Sequence, residues 1–538
     1  MSPFSIKGET AQPAKVDNVK VDTVHDAFNA FKEDDELWVA VLTGAGDVAF
    51  SAGADLRAMA EALAADSARL AELAGLDGKL AEAEARVGSE VQFGAALSGG
   101  LNGDDLFAVQ GWAPADAADA LGDGLAVEGV HAGVDCREAL EDEEPPTLIH
   151  YPRWAKPIKV RTSVLHFIGR SSVRFEPYGQ VLIISPWNYP FNLLFMPLVG
   201  AISAGNTVIM KPSSRVPNIT GAMARLVREC FPPEHVAVFT GTADVSRALL
   251  DERFDMVFFT GSTSAGREVM QMAARNLTPV VLELGGKSPC IVHKDADILV
   301  AARRIAWGKF LNAGQTCAAP DYLLVHREVK EGLIEALAAE VLKSFGPEPK
   351  ESAEYTRIVS SQHVERLRRL MEGSGGRVRF LGDTDAEARY VSPTVIDDVS
   401  PTSAIMNEEV FGPVLPVIGY DEISDAIRII KDRQKPLALY LFSSDHALKE
   451  RVLGEVPSGG FVLNDTVAHV ASHALPFGGV GDSGMGMYHG KYSFEAFSQE
   501  RAVLERSTVV EIPVRYYPLK RKLWLLRLVY RLADYLRW

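Results

Sequence analysis

Cys317 stands in the run FLNAGQTCAAPDY (310–322), where a Gly-Gln-Thr turn opens onto small residues. A thiolate in such a setting can add to an electrophilic carbonyl carbon, although a lone cysteine also serves as a small buried hydrophobe. Two further groups qualify it. SPWNYPFN supplies an amide, Asn188, and LELGGKSP supplies a carboxylate, Glu283. Thiolate, amide donor and carboxylate together suit nucleophilic attack on a carbonyl. A fourth feature is the turn Gly261-Ser262-Thr263-Ser264-Ala265-Gly266, which offers free backbone N–H groups and close approach to a pyrophosphate, or is simply a turn. Lys211 in IMKPSS is either a ribose or phosphate contact or a solvated surface lysine.

The elements that must position these groups are readable. GQVLIISP, NTVIMKP, HVAVFTG, FDMVFFTG and TPVVLELGG are short apolar runs rich in β-branched residues, each separated from the next by helical spacing such as NITGAMARLVREC. Strands apolar on both faces and alternating with helices predict an α/β fold with a parallel sheet covered on two sides. Ligands of such sheets sit beyond the strands' C-terminal ends, so a nucleotide site is expected there.

The chain has 538 residues, enough for several domains, with the 47% hydrophobic and 23% charged content of a globular protein. Its four cysteines, Cys136, Cys230, Cys290 and Cys317, form no C-x-x-C pair, which predicts reduced thiols and no thiolate zinc site. Among the 12 histidines no pair has metal-ligand spacing, so no metal is expected, and an acidic chain is a poor nucleic-acid binder. The polar opening MSPFSIKGET and the lack of a membrane-length apolar run predict a cytoplasmic protein. The net charge of −16 divides into about −20 before residue 150 and about +4 after it. A boundary is therefore placed near 153, at LEDEEPPTLIHYPRWAKP.

From about residue 155 to 512 the chain resembles the aldehyde dehydrogenase superfamily, specifically its class 3 or fatty aldehyde dehydrogenase branch. The motifs PWNYPFN, GNTVIMKPSS, FTGSTSAGR, LTPVVLELGGKSPC, RRIAWGKFLNAGQTCAAPDY, NEEVFGPVLP, KPLALYLFSS and LPFGGVGDSGMGMYHGKYSFEAFS occur in that family's order. The resemblance implies NAD- or NADP-dependent oxidation of hydrophobic aldehydes, medium- or long-chain aliphatic or aromatic, to carboxylic acids. Cys317 would be the nucleophile, Asn188 and the Cys317 N–H the oxyanion donors, and Glu283 the base that activates water. By the same resemblance Glu409 holds the nicotinamide ribose with Phe411 beside it, and Trp187, Lys211, Ser214, Gly261, Ser262 and Gly266 form the rest of the cofactor site. The family's usual K-P-S-E reads K-P-S-S here, so Ser214 stands where a glutamate would repel a 2′-phosphate, which implies acceptance of NADP.

The implied organisation is a Rossmann-like NAD(P)-binding domain over 154–285 with an oligomerisation hairpin at 159–177. A catalytic α/β domain over 286–490 and an oligomerisation strand over 491–512 follow, and a homodimer is implied. Residues 513–538 predict an amphipathic basic helix, with Lys520, Arg527, Arg531 and Asp534 on one side and Leu525, Leu528, Val529, Leu532 and Leu536 on the other. Such a tail either lies peripherally on an anionic membrane or docks on its own dimer.

Upstream, residues 18–62 resemble the crotonase family, with the backbone around Ala52 and Gly53 matching half of an oxyanion hole and Asp55 read as a helix-start residue. Residues 63–153 resemble the cytosolic arm of the V-type ATPase membrane subunit. These extra α/β segments stand where class 3 enzymes carry about a hundred residues of helices, a length typical of a small domain. Their absence sets a second expectation beside the first, a catalytically incompetent mosaic that retains cofactor binding or partner and membrane contacts.

Overall fold

The computed structural model of the chain describes residues 145–162 and 169–509, with scattered positions between 516 and 531. The crotonase-like and most of the ATPase-arm-like expectations lie outside the described residues. A helix, Pro145–Trp154, leads into the antiparallel pair β1 (Ile158–Val160) and β2 (Gly169–Pro177). Trp154 rests against Phe494, with ring centroids 6.1 Å apart, which anchors this entry to the body of the protein.

The five apolar runs then form β3 (Gln180–Ile184), β4 (Thr207–Lys211), β5 (Val236–Val238), β6 (Met256–Gly261) and β7 (Val280–Leu284). They lie parallel in the order β7-β6-β3-β4-β5, a doubly wound sheet whose strand order reverses between β3 and β6. One face, with Ile183, Met210, Phe258 and Val281, packs on the helix Asn192–Ser203, which is apolar all round and buried. The other face, with Leu182, Ile209, Val257 and Leu282, packs on Leu249 and Val269 of two amphipathic helices.

A second sheet contains β8 (Pro289–Val292), β9 (Tyr322–His326), β10 (Arg377–Phe380), β13 (Thr394–Asp397), β14 (Val414–Tyr420), β15 (Ala438–Phe442) and β16 (Gly460–Leu463), after a small ribbon of β11 (Thr384–Asp385) and β12 (Tyr390–Val391). Its order is β10-β13-β14-β9-β8-β15-β16, parallel except for β10 on β13. β17 (Gly484–Met485), inside the segment expected to be catalytic, crosses back to pair antiparallel with β7, setting Gly484 opposite Glu283. β18 (Ser498–Arg506) then pairs with β2 along its whole length, and β1, β2 and β18 make a third, three-stranded sheet.

Cys290 and Cys317 are free thiols.

Asn206 ties the first sheet to the residue that precedes β18. Its Oδ1 accepts from Gly179 N–H at 3.0 Å, and its Nδ2 donates to Ala201 O at 3.0 Å and Phe497 O at 2.9 Å. Asn206→Ala should lower unfolding free energy by about 2 kcal/mol, because Gly179 N–H and Phe497 O lose this partner while Ala201 O keeps only the Asn206 N–H. Urea unfolding measures this, and an unchanged midpoint would refute it.

Candidate active site

Cys317 is held by an unusual turn. The helix Ile298–Phe310 ends, and Asn312, Ala313 and Gly314 then adopt left-handed φ values of 50°, 47° and 71° in succession. Gly314 is required there, since a Cβ would lie 2.3 Å from Gly412 O. Hydrogen bonds hold this costly backbone in place. Gln315 Nε2 donates to Asn312 O and Arg357 O at 3.1 Å each, and its Oε1 accepts from Val359 N–H at 2.9 Å. Thr316 Oγ1 meets the Tyr189 hydroxyl at 2.6 Å, and Tyr440 donates to Ala318 O. Sequence reasoning missed Asn312, Gln315 and Tyr189, whose signal lay in the NAGQT and WNY stretches beside the residues it selected.

Asn188 follows β3. Its Nδ2 donates to Gln315 O at 3.0 Å while its own carbonyl accepts from Asn312 Nδ2 at 2.9 Å. Glu283 is near the end of β7, buried, with neither carboxylate oxygen hydrogen-bonded. Burial pushes its carboxyl well above the usual range. The Cys317 thiol is pushed up to about 12, first by burial and then by the negative charges of Glu409 and Glu283, against which the Ala318 and Cys317 N–H groups favour the thiolate.

Asn188, Glu283 and Cys317 line one cavity of about 1560 Å³. Trp187, Gly261, Ser262, Glu409 and Phe411 line the same space. The Trp187 ring meets Phe411 edge-on at 5.6 Å and 82°. Ser262 caps the helix Thr263–Ala273, accepting from Ala265 N–H at 3.4 Å, and that helix start faces the cavity. Three expected cofactor residues stand outside the wall. Lys211 is buried and donates to its neighbour Pro212 O at 3.1 Å, burial drawing its ammonium down to about 8. Ser214 is exposed between Ser213 and Arg215, which do line the cavity. Gly266 packs against β7, where a Cβ would meet Leu284 Cδ2 at 2.5 Å, so its place is explained by close helix–sheet contact.

The profile of the "Aldehyde dehydrogenase family" matches residues 148–503, some two thirds of the chain. The chain belongs to the aldehyde dehydrogenase family. It is 48% identical over 369 residues to the 4,4'-diaponeurosporen-aldehyde dehydrogenase of Staphylococcus aureus, covering 69% of this chain and 80% of that protein. Aldehyde dehydrogenase family 3 member A2 of Pongo abelii is 44% identical over 360 residues, 67% of this chain and 74% of its own. A solved structure described as "Substrate bound state of Staphylococcus Aureus AldH" superposes with a TM-score of 0.70 at 44% identity, over 73% of this chain and 87% of that one. The protein is thus a class 3 aldehyde dehydrogenase, an oxidoreductase dependent on NAD or NADP. The "Enoyl-CoA hydratase/isomerase" profile matches residues 16–103, carrying the crotonase likeness past residue 62 into the stretch read as ATPase-arm-like.

This aldehyde dehydrogenase has a cradle that fits a dinucleotide. Glu409 accepts from Gly286 N–H and lies so close to Gly285 that a Cβ there would meet its Oε2 at 2.0 Å, leaving backbone rather than side chain along that wall. Lys287 bridges Asp321 and the Glu408 carbonyl, and Asp321 Oδ1 accepts from Val410 N–H at 2.8 Å, which pins the loop carrying Glu409 and Phe411. Burial and the nearby Asp321 raise the Glu409 carboxyl to about 8, so it is neutral below that pH and charged above it. Replacing it should therefore change the thiol only at high pH. Glu409→Gln should speed iodoacetamide alkylation of Cys317 in cofactor-free enzyme by roughly threefold at pH 9 and leave it unchanged at pH 6. Equal rates for both proteins at both pH values would contradict the coupling.

Proposed function

We propose that this aldehyde dehydrogenase oxidises hydrophobic aldehydes, medium- or long-chain aliphatic or aromatic, through a thiohemiacetal and then a thioester on Cys317. The observation that carries the reading is the convergence of the Cys317 thiol, the Asn188 amide and the unpartnered Glu283 carboxylate on one cavity whose wall also holds Leu193, Leu437 and Phe477. Apolar side chains favour an apolar substrate tail by removing it from water.

In this mechanism Cys317 Sγ, as thiolate, bonds to the aldehyde carbon. The oxygen left negative is stabilised by the Asn188 side chain and the Cys317 N–H. Bound NAD or NADP would supply the hydride acceptor needed between thiohemiacetal and thioester. Glu283 then takes a proton from water, whose oxygen attacks the acyl carbon and releases the acid. The Trp187 and Phe411 rings and the Glu409 carboxylate fit the nicotinamide ribose end, and the start of the helix Thr263–Ala273 fits the pyrophosphate. Ser214, an exposed hydroxyl between the cavity-lining Ser213 and Arg215, puts no negative charge against a 2′-phosphate.

Reduced-cofactor formation with a medium-chain aldehyde, run separately with NAD and NADP, tests these roles. Cys317→Ala should abolish turnover. Ser214→Glu should lower kcat/KM for NADP at least about tenfold by placing a charge against the phosphate while changing NAD much less. No turnover by the folded wild type would sink the proposal, and strict NAD preference would reject the role of Ser214.

The nine-residue β18 is exposed along most of its length, which supports a homodimer built on this edge. No helix among the described residues is long and apolar enough to cross a membrane. Leu523, Trp524 and Leu528 are exposed near Arg527, and we propose that this tail contacts anionic lipid. Analytical ultracentrifugation should give the mass of two chains, and anionic vesicles should carry down the full chain but not one ending at Pro513. Equal partitioning removes the lipid contact, and a single-chain mass removes the dimer.

A further inference from the structure

Cys317 and Ala318 are the central residues of a turn that closes where Ala319 N–H donates to Thr316 O at 3.1 Å. The peptide between them carries the Ala318 N–H, which favours a thiolate on Cys317 Sγ. The central peptide of such a turn can flip with little movement of the flanking residues, and a flip carries its N–H away from the sulfur. Tyr440, on β15, donates to the carbonyl of Ala318 and so holds the far side of that residue. Tyr440 is fully buried, and burial pushes its phenol well above the usual range, which keeps it a donor at working pH.

The same phenol meets a strained turn. Val467 N–H lies close enough to the Tyr440 oxygen to favour negative charge on it. Val467 has φ 59° and ψ −31°, and Thr466 O accepts from Ala468 N–H across it at 2.6 Å. This is a γ-turn of the rare, strained hand, built on a β-branched residue. Two contacts hold it. Thr466 Oγ1 donates to Arg304 O at 2.6 Å. The turn also sits so close to the helix Ile298–Phe310 that a Cβ on Gly308 would meet Thr466 Oγ1 at 2.2 Å and Val467 Cγ2 at 3.1 Å. Strain of this kind persists only where the surroundings over-determine it, and it gathers at functional sites.

We infer that Tyr440 is a positioning residue for the nucleophile: braced by the γ-turn at Val467, its hydroxyl holds the Cys317–Ala318 turn in the form that keeps the Ala318 N–H on Cys317 Sγ. This rests on the reading of Cys317 as the nucleophile. Tyr440 is absent from the cavity wall, so it acts through Ala318.

The test follows iodoacetamide alkylation of the full chain without cofactor, read on the Cys317 peptide by mass spectrometry between about pH 6 and 9. Tyr440→Phe should slow alkylation roughly threefold or more throughout, because a thiolate that loses a hydrogen bond forms less readily. Thr466→Val, which keeps the shape of the turn and removes its bond to Arg304, should slow it in the same direction. The double variant should be no slower than Tyr440→Phe alone, since both changes act on one route. Asn206→Ala, destabilised away from this turn, should react at the wild-type rate. Wild-type alkylation in Tyr440→Phe overturns the role, and equal slowing in Asn206→Ala overturns it too by making the loss one of stability. Additive slowing in the double variant overturns the brace at Val467. With p-nitrophenyl hexanoate, Cys317→Ala should lose the nitrophenolate burst. A burst that survives removes the nucleophile and leaves the turn no reaction to serve, a failure distinct from any change in alkylation.

Discussion

The site depends on Gln315. Its backbone carbonyl receives the Asn188 amide, and its side chain binds the carbonyls of Asn312 and Arg357 and the N–H of Val359. One buried residue thus joins three segments far apart in the chain: the loop after β3, the left-handed turn before Cys317, and the loop that leads into the helix Ser361–Glu372. A left-handed backbone at two non-glycine residues stores strain that a flexible loop would release. Here the strain is held because every alternative leaves buried amide and carbonyl groups unpaired. The thiol is placed by these constraints rather than by its own contacts.

Exclusion of water then sets the chemistry. Glu283, Lys211 and Lys309 are buried and Glu409 is half-buried, and desolvation disfavours the charged form of each. Lys309 Nζ has no hydrogen-bond partner, and burial, offset in part by Asp321, draws it down to about 8. Carboxylates raised and ammonium groups lowered bring proton affinities of opposite sign toward neutrality, where exchange is easiest. The ion pair of Lys287 and Asp321 fixes the Glu409 loop to the second sheet.

Crossings between the two sheets explain the cavity. The first sheet opens it at the β3/β6 switch, and the second contributes the Cys317 turn before β9 and the Glu409 loop before β14. β17 then returns to β7 opposite Glu283, so the chain closes the wall after visiting both sheets. Gly459 and Gly478 meet in this return with no room for a side chain, a Cβ on Gly459 falling 2.2 Å from Gly478 O.

The residues proposed to react were legible without coordinates. β3 to β7 follow from apolar, β-branched runs because a strand buried on both faces admits little else. Cys317, Glu283 and Asn188 follow from motifs because a nucleophile, a base and an amide donor are defined by residue type. The struts were not legible. Gln315, Asn312 and Tyr189 look like ordinary polar residues until folding buries them against partners that local spacing cannot reveal, from Asn312 O three residues back to residues 127 positions away. Gly266 and Lys211 read as ligand contacts, yet close packing on Leu284 and a bond to Pro212 account for them, since only distances separate a cradle from a contact. The sequence by itself determined which atoms can do the chemistry. Tertiary structure alone decided their orphaned oxygens, their shifted protons and their convergence on one cavity, because burial and register belong to the assembled sheets and to no single stretch of chain.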